Sequence, residues 1–469
     1  MTSTNRADAG YYHCVVKTSY GGIRSRKIKL DVGYLDPPSE IKSRSFIEVT
    51  LGQAVIIWPG SVQHEQRKQL SYSDRRNEPW KSVINTLNET QKFLPSSYYL
   101  QAVPFPQAIW TINNAPLPNT LNIFVSQLEQ AIALLNIDKD MNLKVIRARL
   151  INGYGNSTEG VFSQTHIIQV KDPPINTAVH SLDLVLPPKD ASLILKDEQP
   201  GTAIFECVFN ARPAHALKVQ WFKRGSNGRR ELIIPSVVSQ SKLTGEQRQT
   251  YDEPVYKFDS SGLNRTLIIS NILPGIIPSD YHHKLTQKSV YSEEYTCHAY
   301  LNGYNSNNVF EMNDFLVGDS EFISSPSSSS SLLSSAFSLY RSVSPISTTA
   351  RLKLYLPPKI HFPPNIDVNS STIQLEFIPR PSKLIVIETS ASMDIQLPCE
   401  LDWIGIPAAE VKWLRNGDSI NFINKDRYYI HTNNTLTIES LKLTDAGIFQ
   451  CYAYNSAGED FLNIWLKVT

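Results

Sequence analysis

No run of about 18 or more apolar residues occurs in this 469-residue chain, so no segment reads as a helix able to span a bilayer. The N-terminus, MTSTNRADAGYYHC, lacks the basic region and apolar run of an export signal, so neither leader nor anchor is expected within this chain. A large excess of either charge is also missing. A formal net charge of +1 gives no case for nucleic acid or an acidic membrane surface as partner. The chemistry-bearing motifs are absent as well. There is no G-x-S-x-G nucleophile turn. Gly153, Gly155 and Gly160 have the wrong spacing for a phosphate loop and no helix follows them, so Asn152-Gly153 reads as a hairpin turn. Cys297-His298 and His282-His283 have no C-x-x-C or H-x-x-x-H partner to complete a metal site. No enzyme, cofactor, metal or small-molecule substrate is therefore expected.

Cysteine is scarce too, at five residues, but four of the five fall into a repeated grammar. Cys207, Trp221, Tyr295 and Cys297 recur as Cys399, Trp413, Phe449 and Cys451, with 14 residues from cysteine to tryptophan in both sets. In an immunoglobulin sandwich, strands B and F lie on opposite sheets. A disulfide joins them through the core, and the strand C tryptophan packs on its sulfurs. The spacing thus predicts the pairs Cys207–Cys297 and Cys399–Cys451 and an all-β chain of tandem immunoglobulin-like sandwiches of the I-set type. Such bonds imply an oxidising, extracellular setting. Five Asn-x-Ser/Thr acceptors, at Asn88, Asn156, Asn264, Asn369 and Asn433, suit that setting.

Four units follow. Residues 1–33 carry D-x-G-x-Y-x-C at Asp8, Gly10, Tyr12 and Cys14, then an alternating run from Arg24 to Val32, which reads as strands F and G alone. Cys14 is then an unpaired thiol whose partner would lie upstream of Met1. Residues 39–171 form a sandwich with no disulfide. Val49 to Trp58 is its strand B and Trp110 its strand C tryptophan, while Ile146 stands for the second cysteine, with Asp140 at the aspartate position. Its B to C connection is about forty residues longer than in the other units and reads as a disordered insertion. Residues 183–356 form a third unit around Trp221, interrupted near Ser226 to Tyr256 and Tyr281 to Ser292 and by a serine tract over Ser324 to Ser347. Residues 357–469 are the most regular unit, with Trp413 in AEVKWLRNG. There Arg427 is expected to meet Asp445 at the lower edge of the sandwich, a structural pairing.

CVVKTSYGGIRSRKIKLDVGYL, a cysteine-free unit with PQAIWTINN, ECVFNARPAHALKVQWFKRG and D-A-G-I-F-Q-C-Y-A-Y-N-S-A-G together resemble, in order, the N-terminal immunoglobulin domains of the sidekick family. The resemblance covers the strand segments of the whole chain and departs in the long insertions. It implies the extracellular part of a membrane-anchored protein engaged in homophilic adhesion at synapses or junctions. Four immunoglobulin domains would form a bent unit that binds itself or a related protein on an opposing cell, and no catalytic residues carry over. The residues leave a second class open, a ligand-binding ectodomain of a receptor phosphatase or kinase. An intracellular immunoglobulin array is disfavoured by the two cysteine pairs.

Overall fold

The computed structural model describes residues 4–35, 45–59, 102–104, 106–153, 160–174, 180–196, 199–225, 228–236, 253–277, 290–302, 343–362, 384–420 and 427–469. Asn88, Asn156 and Asn369, the long B to C connection and most of the serine tract lie outside them, as does most of the two other interruptions of the third unit.

Alternation of apolar and polar residues builds three two-sheet sandwiches. In the second unit, Gln107–Ile112, Val145–Ile151, His166–Lys171 and Ser45–Thr50 form one sheet, while Ile123–Val125, Ile132–Leu134 and Val55–Ile57 form the other. The third unit sets Ala191–Ile194, Ile346–Tyr355, Tyr291–Leu301, Leu217–Arg224 and Arg230–Leu232 against Gly201–Glu206, Thr266–Ile272 and Val255–Phe258. The fourth repeats that plan. Leu384–Thr389, Glu459–Val468, Gly447–Tyr454, Glu410–Arg415 and Asp418–Ser419 face Ile395–Leu397, Leu436–Ile438 and Tyr428–Ile430. In all three, a strand near the start of the unit runs parallel to the final strand. The N-terminal unit contributes short antiparallel pairs, Gly10–Tyr12 with Ile28–Leu30 and Val15–Thr18 with Gly21–Arg24.

Cys207 and Cys297 are joined, with their Cα atoms 6.5 Å apart, and so are Cys399 and Cys451, at 6.1 Å. Trp221 lies directly across the ladder from Cys297, and Trp413 from Cys451. All three core tryptophans are held in one further way. Each indole N–H donates, at 2.8 Å, to a backbone carbonyl of a left-handed residue: Trp110 to Gln130 (φ 55), Trp221 to Asn264 (φ 51) and Trp413 to Asn434 (φ 65). A buried indole needs such an acceptor, and the left-handed residue just ahead of the strand turns its carbonyl inward to provide one.

Three sequence expectations change. Trp110 faces Ala148, not Ile146, so Ala148 takes the second cysteine's place, and Ile146, paired with Ile112, takes that of the aromatic two residues earlier. The aspartate position accordingly moves from Asp140 to Asn142. Ile146 and Ala148 are both buried on one face, so alternation alone could not separate them. Val49 to Trp58 is not one strand. Ser45–Thr50 pairs with His166–Lys171, a turn follows, and Val55–Ile57 joins the opposite sheet. Asn152-Gly153 opens the connection between Val145–Ile151 and Val161–Phe162 and is not a complete two-residue turn.

Candidate functional site

Two contacts between units give the chain its candidate functional surface. In the first, strand Val208–Arg212 continues past Cys207 and pairs with Ser181–Leu186 of the third unit. Cys207, Phe209 and Ala211 belong to that sandwich's core. The alternate residues Glu206, Val208, Asn210 and Arg212 point the other way, as the two-residue repeat of a strand requires, and meet the second unit. Asn210 accepts from the Asn136 N–H at 2.7 Å and donates to the Gly52 carbonyl at 3.0 Å. The Arg212 guanidinium donates to the carbonyls of Gly52 and Leu51 at 2.9 and 2.6 Å. Arg265 reaches the Leu121 carbonyl at 2.6 Å. Between these bonds lies a dry cluster of Ala133, Leu135, Leu186 and Val208. The Glu206 carboxylate accepts from the Ser126 hydroxyl and, at 2.7 Å, from the Gln127 N–H. Burial pushes its pKa above the usual carboxylate value even though those bonds favour the ionised form.

In the second contact the N-terminal strands lie on the outer face of the large sheet of the fourth sandwich. Gly22 approaches so closely that a Cβ would sit 2.4 Å from the Asn416 carbonyl oxygen. Asn416-Gly417 is a two-residue hairpin turn with φ of 52° and 85°, a geometry that suits Asn-Gly. Its asparagine side chain accepts from the N–H groups of both Ile448 and Gly22, at 2.9 and 3.2 Å. The Gln450 side chain behaves like an added peptide unit beside Arg24. It accepts from the Arg24 N–H at 2.9 Å and donates to the Arg24 carbonyl at 3.1 Å and to Asn463 at 2.9 Å. Arg26 pairs with Asp460 at 3.1 Å and Lys17 with Asp418 at 2.9 Å, while the Lys27 N–H donates to Glu459 at 2.5 Å. Basic residues thus come from the N-terminal strands and acidic ones from the fourth sandwich. Leu414, Tyr452 and Phe461 form an outward-facing apolar cluster on the same sheet, with the Tyr452 and Phe461 rings stacked at 4.6 Å.

With the first unit on the fourth and the second on the third, the chain doubles back on itself.

The remaining sequence candidates fall elsewhere. Cys14 is exposed and unpaired, and its N–H donates to Ser25 at 2.8 Å. Tyr12 donates to the Asp8 carbonyl at 2.7 Å, a tyrosine-corner bond four residues back. Arg427 meets Asp445 at 2.5 Å, and Asp445 also accepts from Tyr428 at 2.8 Å. The other described sequons, Asn264 and Asn433, sit in equivalent turns beside the core tryptophans. Among the described residues, no group of three or more His, Cys, Asp or Glu could hold a metal ion.

The sandwiches, their disulfides and their tryptophan cores define a tandem array of I-set immunoglobulin-like domains, and residues 378–468 match the family model described as immunoglobulin I-set domain. Along its whole length the chain is similar to the sidekick proteins. It is 25% identical over 472 residues to protein sidekick of Drosophila melanogaster, covering 99% of this chain and 15% of that protein. It is 22% identical to human sidekick-1, covering 100% of this chain and 14% of that protein. The chain therefore spans about one seventh of the curated relatives it matches. Immunoglobulin domains 1–4 of sidekick-1 superpose with a TM-score of 0.58 at 18% identity, covering 100% of this chain and 85% of theirs. The insect immune protein hemolin, whose domain arrangement is described as having implications for homophilic adhesion, superposes at 0.51 with 14% identity, covering 99% and 84%. At these identities the two structures speak for the fold.

Proposed function

We propose that the chain is the recognition unit of a cell-surface adhesion protein and binds another copy of itself, or a close relative, on an opposing cell. The observation that carries this reading is the doubling back. A binding surface shared among several sandwiches needs their relative orientation fixed beforehand, because ordering loose domains on association costs free energy that would otherwise appear as affinity. The bonds from Gln450 to Arg24 and from Arg212 to the Leu51–Gly52 turn fix that orientation within the free chain. Similarity to sidekick proteins over 99% of the chain supports the same reading. So does the net charge of +1, since a strongly charged surface would repel its own copy. The setting is extracellular, which the two disulfides favour. Sedimentation velocity of the secreted chain tests the reading. A dimer that grows with concentration is the expected result, and a monomer at every soluble concentration would contradict it.

A further inference from the structure

Asn264 and Asn433 look equivalent as glycosylation acceptors in the sequence, yet the fold treats them differently. Each lies in the turn leading to the strand that faces its sandwich's first cysteine strand, and each turn contains the left-handed residue that accepts the core tryptophan's N–H. In the third sandwich the acceptor asparagine is itself that residue. Asn264 gives its carbonyl to Trp221 at 2.8 Å, and its side-chain nitrogen donates to the Val219 carbonyl at 3.1 Å. The next two residues of the sequon, Arg265 and Thr266, are 5% and 3% exposed, and Arg265 reaches across to Leu121 of the second unit. In the fourth sandwich the same duty falls one residue later, on Asn434. Asn433 is thereby released. It is exposed, its side-chain oxygen accepts from the Thr435 N–H at 3.2 Å, and its nitrogen bonds to nothing among the described residues.

We infer that Asn433 carries an N-linked oligosaccharide and that Asn264 stays bare, an assignment that rests on the extracellular reading above. A sugar on Asn264 would replace a hydrogen of the nitrogen that bonds Val219 and would force a bulky polar group against strand Leu217–Arg224, next to the Arg265 that crosses to the second unit. A sugar on Asn433 projects into solvent from the hairpin joining Tyr428–Ile430 to Leu436–Ile438. That hairpin belongs to the sheet opposite the one that holds the N-terminal strands, so both contacts between units stay uncovered. The donor is a lipid-linked oligosaccharide pyrophosphate. The asparagine nitrogen bonds to the anomeric carbon, the sugar–oxygen bond breaks with its electron pair leaving on the lipid pyrophosphate, and one amide proton is released.

The full chain, secreted from animal cells behind an added leader, is treated with peptide N-glycosidase in heavy-oxygen water and mapped by mass spectrometry. Labelled aspartate at position 433 and unlabelled asparagine at 264 is the expected result. Thr435→Ala is expected to abolish label at 433 while the chain is secreted as before, because the carbonyl that holds Trp413 belongs to Asn434. Label at 264 overturns the assignment. A bare Asn433 with occupied Asn88, Asn156 or Asn369 also overturns it while leaving the extracellular reading standing. Retention in the cell with every acceptor bare overturns both.

Discussion

Replacing Gln450 with alanine should open the contact between the N-terminal strands and the fourth sandwich without unfolding either. Gln450 is 1% exposed, and its amide satisfies both backbone groups of Arg24 as well as Asn463. Two hydrogen bonds across the contact would be lost. At about 1 to 1.5 kcal/mol each, their removal weakens the contact by roughly 2 to 3 kcal/mol, and leaving the Arg24 groups dry and unpartnered would cost more still. Re-solvation by opening is the cheaper outcome. A loss of that size raises the open population by a factor of roughly 30 to 150. Hydrogen exchange monitored by NMR measures it directly. The amides of Gly22 and Arg24, which donate to Asn416 and Gln450 in the closed form, should exchange faster by that factor. The Cys451 and Leu462 amides, in core strands of the fourth sandwich, should keep their protection. Unchanged protection at Gly22 and Arg24 would mean that Gln450 does not hold the contact, and equal loss throughout the sandwich would mean that it holds the sandwich instead.

His166 gives a pH dependence to the second sandwich. It is 3% exposed, neither ring nitrogen has a hydrogen-bond partner among the described residues, and burial lowers its pKa from 6.5 to about 4. Its folded value lies below its unfolded one, so the unfolded chain takes up the proton first. Stability is then full above pH 6.5 and falls by about 3 kcal/mol as the pH drops towards 4, a slope that His166→Leu should remove from pH-dependent urea melts. Trp110→Phe strands the Gln130 carbonyl and shrinks the core side chain. It should cost roughly 1 to 3 kcal/mol in urea unfolding, measured against Phe124→Leu as a control, since Phe124 packs outside that core on the cluster of Ala133, Leu135, Leu186 and Val208. Cys207→Ala with Cys297→Ala removes a link across 90 residues, and the third sandwich should lose about 4 to 5 kcal/mol, read from its unfolding midpoint under non-reducing conditions.

The cores were legible because a disulfide and a tryptophan impose fixed spacing on strands that must meet. Where the cysteines were missing, legibility slipped by two residues. Ile146 and Ala148 share a face, and only the cross-strand register with Trp110 distinguishes them. The contacts between units were not legible. Gln450, Glu206 and Asn210 occupy outward positions of strands, where polar residues ordinarily mean a solvated face. The available signals were apolar residues at outward positions of strands, Val208 at the first contact and Leu414, Tyr452 and Phe461 at the second. The two sequons read alike because the sequence does not reveal which asparagine of the turn takes the left-handed conformation and supports the tryptophan.

Bead clustering reads out whether the doubled-back chain adheres to its own copy. Beads of one colour carry the full chain, beads of a second colour carry the Gln450→Ala chain, and a third set is uncoated. Full-chain beads should cluster with each other and exclude uncoated beads, while Gln450→Ala beads should cluster weakly. Full-chain beads that stay dispersed while binding an unrelated cell-surface protein would contradict self-adhesion and favour a receptor ectodomain instead.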